Sequence, residues 1–207
     1  MDELQKILEA AENLFRKYGI RSVTMSDIAA QLGISKKTLY LHIENKHELI
    51  EKIMALYISS ERQMCNKIGI TAIDALDEML KISMQVQHNI ENMNPSLLFD
   101  LRKYHYPIWQ QFEAFRNDFI LNLMRNNIDK GKAEGIYRND LNSDIISRIH
   151  IGCIHIFTDD ELLPPDQFPR PVVHKQFVMY HLHGIVTKKG RLLMEKYFNQ
   201  SEHNIKS

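Results

Sequence analysis

Several things are scarce in this 207-residue chain, and each scarcity removes a class of protein. No apolar run approaches the roughly 20 residues that a membrane-spanning helix needs, so no membrane partner is expected. The opening MDELQKILEA is charged and amphipathic, which excludes a secretion leader and makes the cytoplasm the expected location. Only two cysteines occur, Cys65 and Cys153, far apart and without metal-type spacing. Two indifferent thiols in a reducing compartment suit them better than a disulfide. Charge of one sign is also missing: 26 Lys and Arg balance 26 Asp and Glu. A global field that draws the chain to nucleic acid is therefore absent, although a local patch can still grip phosphate. Alternating strand patterns, repeats and low-complexity tracts are lacking as well.

What remains is helical periodicity. Leu4, Ile7, Leu8, Ala11, Leu14, Phe15 and Tyr18 recur at spacings of three and four, and Gly19 closes that helix. Thr24 with Asp27 reads as the cap and third residue of a second helix, and Asn45 with Glu48 as those of a fourth. The fourth is expected to run toward Ile68 and to break between Lys67 and Thr71, at Gly69. Ile73 to Ile90 predicts a fifth helix stopped near Asn94–Pro95, and Ser96 to about Lys103 a short one. After Pro107 one long helix is expected through Trp109, Phe119 and Ile128, ending between Gly131 and Gly135. Asn142 or Ser143 can cap a nearly all-apolar helix over 143–158. Four of the six prolines fall between Leu162 and Pro171, which must be loop. A last helix, Val172 to Ile185, continues beyond Thr187 to Phe198. The fold class is all-α.

The organising stretch is TMSDIAAQLGISKKTLYLHIENK, Thr24 to Lys46. Ile28, Ala29 and Leu32 give one short helix an apolar face, Gly33 permits a sharp end, and Leu39 and Ile43 face the next helix inward. Two helices joined by such a turn make a helix-turn-helix. The wider run, with Asp27-Ile28-Ala29, Gly33-Ile34-Ser35, Thr38-Leu39-Tyr40 and Asn45-Lys46 leading to Leu49, resembles the DNA-binding signature of the TetR family of bacterial repressors. It departs from the commonest form at His42-Ile43, where many members carry an aromatic pair, and at Glu44, which brings negative charge toward phosphate.

The resemblance implies a three-helix DNA-binding domain over 1–47 and a larger helical effector-binding and dimerisation domain over 48–207. It implies DNA contacts from Thr24, Ser35, Lys36, Lys37, Thr38, Tyr40, Leu41, His42 and Lys46, with Lys36 and Lys37 at bases or phosphates. Leu41 would meet a thymine methyl, and Thr24 and Lys46 would clamp phosphates beside helix N-termini. Since one motif reads one half-site, a homodimer is implied, formed by helices near 143–158 and 172–187, where Gly152 and Gly184 allow close approach. Val173, Phe177, Tyr180 and Gly184 supply the second helix's face. The resemblance also implies a small, largely apolar or aromatic effector that releases the repressor from operator DNA. Its expected lining is Met84, His88, Phe99, Tyr104, His105, Trp109, Phe112 and Phe115, residues whose helical spacing equally suits plain core.

Other readings compete. An enzyme would pair His150 with Cys153, one helical turn apart, yet no orienting acid or oxyanion motif accompanies them. A helix-turn-helix with an architectural or protein-contact role is the other alternative. No cofactor is implied. Ten histidines suggest metal, but His181 and His183 lie on different sides of a helix, and His174 and His181 are about 10 Å apart along its axis. No metal site is expected.

Overall fold

The structure is a computed structural model that describes residues 2–94, 96–157, 159 and 161–205; side chains of 155 and 199–205 are not part of that description. The expected stop at Pro95 and the end of the apolar helix at Thr158 lie outside the described residues. The element order is α1 (Glu3–Tyr18), α2 (Met25–Leu32), α3 (Lys36–Tyr40), α4 (Lys46–Thr71), α5 (Ala75–Glu91), α6 (Ser96–Tyr104) and α7 (Tyr106–Phe115), then a π-helical turn (Arg116–Ile120), α8 (Leu121–Ala133), α9 (Ser143–Phe157), α10 (Arg170–Ile185) and α11 (Lys188–Ile205). Among the described residues the extended structure amounts to one antiparallel bridge between Tyr137 and Val186.

Two expectations need correction. Gly69 does not break the fourth helix, which continues to Thr71; one glycine costs a helix about 1 kcal/mol, and the flanking residues carry it. The turn comes instead at 72–74, where the Ile73 amide donates to Asp77 and that of Asp77 to Asp74. The long helix expected after Pro107 is helical without a break from Tyr106 to Ala133, and a π turn inside it holds buried Arg116. The proline-rich loop ends at Pro169, because α10 begins at Arg170 and Pro171 occupies its first turn, where a missing N–H costs nothing.

The chain forms two compact units: residues 1–63 with 91–115, and 64–90 with 116–207. The segment expected to read DNA, 1–47, thus shares a unit with the first part of α4 and with α6 and α7. The core of this unit joins Ile7, Leu8, Ala11 and Phe15 of α1 to Ile28 and Ala29 of α2, Leu39 of α3, Leu49 and Ile50 of α4, and Leu101, Ile108 and Trp109. The second core is built from Leu76, Met79 and Ile82 of α5, Met124 of α8, Leu182 and Ile185 of α10, Met194 of α11, and Ile136, Tyr137 and Leu141. Tyr137 anchors it: the hydroxyl donates to Ala75 O (3.1 Å) and lies 3.2 Å from Asn127 Oδ1. Burial pushes that phenol far above its ordinary pKa. A Cβ on Gly131 would stand 2.1 Å from the Tyr137 ring, so only glycine fits there.

Candidate nucleic-acid interface

Local chemistry fixes the helix-turn-helix. Thr24 Oγ1 accepts from the Asp27 amide (3.2 Å) while Asp27 Oδ2 accepts from the Thr24 amide (2.8 Å), a closed capping box. These bonds, the Thr24 hydroxyl's foremost, hold the Asp27 carboxyl below its usual pKa. Gly33 ends α2 in the left-handed region, φ 67°, and the Ile34 amide reaches back to Ala29 O (3.0 Å). Ser35 caps α3 by accepting from the Thr38 amide (3.0 Å). Fully buried Leu39 pins α3 to the core, which turns the opposite face outward.

That outward face carries the expected contacts. Ser35, Lys36, Lys37, Tyr40 and Leu41 are exposed, Leu41 to 75%, a large apolar side chain offered to solvent. Thr38 is half-buried, its hydroxyl 2.8 Å from that of Ser35. His42 is half-buried near Glu3 (Nε2 to Oε2, 3.9 Å). Thr24 is exposed at the mouth of α2. Lys46 is different. Its ammonium turns inward, donating to the carbonyls of Ile20 and Val23 and lying 5.6 Å above the Phe15 ring. Burial lowers its pKa against the pull of Asp100 and Asp27. In this conformation Lys46 ties the α1–α2 loop to the start of α4. Asn45 accepts from the Glu48 amide as expected, but the Glu48 carboxylate reaches the Glu44 amide (2.6 Å) instead of closing a box.

The residues expected to line an effector site are divided. Met84 and His88 are exposed on α5, in the second unit, and the other six belong to the first. Trp109 and Phe115 are buried; Phe112 packs 5.5 Å from the Trp109 ring, and the Arg62 guanidinium lies over Phe115. Phe99 and Tyr104 are exposed on α6. His105 Nδ1 sits 3.2 Å from His47 Nδ1, and burial, His47 and Lys46 lower its pKa.

Sequence reasoning missed a polar cluster within the second unit. The rings of His150 and His181 meet edge to face at 4.7 Å, with Phe177 5.0 Å from His150 and Phe157 beyond it. His174 Nδ1 lies 2.8 Å from Gln87 Oε1. His150 Nδ1 and His181 Nε2 are enclosed without a hydrogen-bond partner. Burial holds the His150 imidazole down to about 3 and His181 to about 4. The same physics opposes a His150–Cys153 nucleophilic pair: burial raises the Cys153 thiol while His150 loses its basicity. No group of three or more metal-ligating side chains gathers among the described residues, and none of their helices is long and apolar enough to cross a membrane.

The helices expected to form a dimer interface present apolar surface. Ile145, Ile149, Gly152 and Ile156 are exposed along one face of α9, and Tyr180 and Gly184 on α10. A Cβ on either glycine would meet nothing within 4 Å. Phe177, expected on the same face of α10, packs inward against His150.

With this geometry in hand, known proteins place the chain. The family model for bacterial regulatory proteins of the tetR family matches residues 7–53, from the middle of α1 into α4. The HTH-type transcriptional regulator YvaF of Bacillus subtilis (strain 168) is 30% identical over 185 residues, covering 87% of this chain and 94% of that one. The HTH-type transcriptional repressor KstR2 of Mycolicibacterium smegmatis is 25% identical over 146 residues, 69% of this chain and 71% of its own. Among solved structures, the ketosteroid transcriptional regulator KstR2 of Mycobacterium tuberculosis superposes with a TM-score of 0.62 at 20% identity, over 90% of this chain and 96% of that one. A TetR-family regulator from Agrobacterium tumefaciens reaches 0.71 at 15% identity, over 89% and 97%, a likeness of fold alone. These relatives regulate transcription and are not enzymes. The chain belongs to the TetR family of bacterial regulatory proteins and is a DNA-binding transcriptional regulator.

Proposed function

We propose that the protein is a homodimeric repressor in the bacterial cytoplasm, released from operator DNA by a small, largely apolar or aromatic molecule. Residues 1–47 read the operator, and 48–207 bind effector and partner subunit. The observation that carries the DNA part is the face of α3: Lys36, Lys37, Tyr40 and Leu41 exposed together on a helix whose position Leu39 and the Ser35 cap enforce. Cations reach phosphates or guanine edges, the phenol a phosphate, and Leu41 a thymine methyl. Ser35, Thr38, His42 and Thr24 would add backbone contacts, and Lys46 would join them by leaving its carbonyl partners.

The exposed Ile145–Ile149–Ile156 stripe with Gly152 supports self-association, since apolar faces of this kind gain by being covered. The effector reading is supported by the second unit's enclosed imidazole nitrogens among phenylalanines, polar groups whose hydrogen bonds a bound molecule can supply. Met84 and His88 are the residues of the expected lining that share this unit. Repression fits the printed role of the mycobacterial relative. Release requires an effector that binds the DNA-incompetent state more tightly than the competent one.

The test is a mobility shift with the DNA upstream of the protein's own gene, at physiological salt with excess nonspecific competitor. A discrete complex that survives competitor and disappears in Lys36→Ala/Tyr40→Ala is expected. A complex that competitor of any sequence removes equally would replace operator reading with the architectural role. An Ile149→Asp variant that stays dimeric by sedimentation would remove α9 from the interface.

A further inference from the structure

The chain is neutral overall, yet its positive charge is not spread evenly over the first unit. Lys17 and Arg21 follow one another from the end of α1 into the α1–α2 loop, and Arg102 and Lys103 lie on α6. All four are exposed, and none forms an ion pair among the described residues. The acid of the neighbourhood, Asp100, is buried and accepts from the Arg21 amide (3.0 Å), so it does not screen the surface. The cations also rest on rings. The Lys17 ammonium lies 5.0 Å from the Tyr18 centroid, and the Arg21 guanidinium lies 5.3 Å from that of Tyr104. The Lys103 ammonium is 5.2 Å from Phe99 and 5.4 Å from Tyr104. Arg21 Nη1 further donates to the Tyr104 hydroxyl (3.2 Å).

The two segments are held together by the backbone: the Asn94 amide donates to Arg16 O (2.7 Å) and its side chain to Lys17 O (3.2 Å). Phe99, Arg102 and Lys103 share one face of α6 by their spacing. Long cationic side chains are ordinarily mobile, and ordering them costs affinity; an aromatic floor under Lys17, Arg21 and Lys103 lowers that cost beforehand.

We infer that Lys17, Arg21, Arg102 and Lys103 form a second phosphate-binding surface, which grips the backbone of duplex DNA outside the stretch read by α3. The inference rests on the DNA-reading role proposed above. A polyanion is the complement of four unpaired cations, and duplex DNA is favoured by continuity. Arg21 stands three residues before Thr24, the expected phosphate clamp, and Lys46 holds the carbonyls of Ile20 and Val23 on either side of Arg21. Contacts of this kind carry no sequence information and register as salt dependence.

The experiment measures the affinity of the full chain for a fluorescein-labelled 40-bp duplex of mixed sequence, across a salt series. Each lost phosphate contact lowers the slope of log affinity against log salt by about 0.9. Arg21→Gln/Lys103→Gln is expected to lower the slope by roughly 2 and to weaken binding on the order of 10-fold near 0.1 M salt. Lys17→Gln/Arg102→Gln, which leaves the Arg21–Tyr104 bond intact, should do the same, with unchanged thermal melting in both. Lys36→Ala/Lys37→Ala separates the two claims. If this variant loses slope while both patch pairs keep the wild-type value, the second surface is refuted and the reading head stands. If the wild-type chain binds no duplex at all, both fall. If the patch variants lose binding to phosphatidylglycerol vesicles and not to duplex, the surface serves a membrane and the inference is overturned.

Discussion

The two compact units are stabilised in different ways. The first has an aliphatic and aromatic core, and α2, α3 and α4 begin on side chains paired three residues away: Thr24 with Asp27, Ser35 with Thr38, Asn45 with Glu48. The second carries polar groups inside and satisfies several of them across long separations. Asn127 Nδ2 donates to Ala75 O, Lys130 pairs with Glu78 at 3.0 Å, and Tyr197 donates to Asp74 at 2.6 Å. Local order suits a part that must present one rigid face to a groove. Buried polarity suits a part that can exchange partners, because an enclosed nitrogen without a hydrogen bond favours whatever supplies one.

The largest test of this contrast sits at glycines of the second unit. Gly131→Ala drives a methyl into the Tyr137 ring and is expected to cost about 3 kcal/mol or more, read by denaturant unfolding. Gly152→Ala, with open space around it, should change monomer stability by under about 0.5 kcal/mol. Equal losses at both positions would deny that the second core is the tight one.

A pH effect comes next. His150 and His181 bind protons near 6.5 when unfolded, but in the fold only at about 3 and about 4. The unfolded chain therefore takes up more protons as pH falls, and stability complete above pH 6.5 drains away toward pH 4. Melting temperature should decline through that window in the wild type and stay flatter in His150→Phe/His181→Phe. A wild-type melting temperature constant from pH 7 to 4.5 would mean that these rings are not held neutral.

Smaller still, Tyr137→Phe removes one of the two donors to Ala75 O, takes the hydroxyl from the buried Asn127 Oδ1, and should cost about 2 kcal/mol. The smallest change belongs to the first unit: Thr24→Ala opens the capping box for about 1 kcal/mol, a fall in melting temperature of roughly 2–4 °C. A Thr24→Ala loss exceeding that of Tyr137→Phe would invert the contrast.

The same division explains what the sequence made legible. The α2–α3 turn could be read because its causes are neighbours: cap, third-position partner and glycine all lie within ten residues. The inward turn of Lys46 could not, since its acceptors are carbonyls more than twenty residues earlier and a lysine beside a reading helix looks like a phosphate ligand. Trp109 read equally as lining or as core, and the structure buries it among the apolar residues of the first unit's cluster. Gly69 was legible as a weakness but not as a tolerated one, because the helix is carried by residues on both sides. The histidine cluster had no local signature; His150, His174 and His181 come from two helices separated by the proline loop.

The π turn at Arg116–Ile120 lies where the chain passes from the first unit to the second. A π turn holds one residue more than an α turn. Deleting a single residue from 116–120 would let the turn close as ordinary α-helix. The extra residue is thus a spare link within one helical run, and a one-residue edit there removes slack rather than a turn.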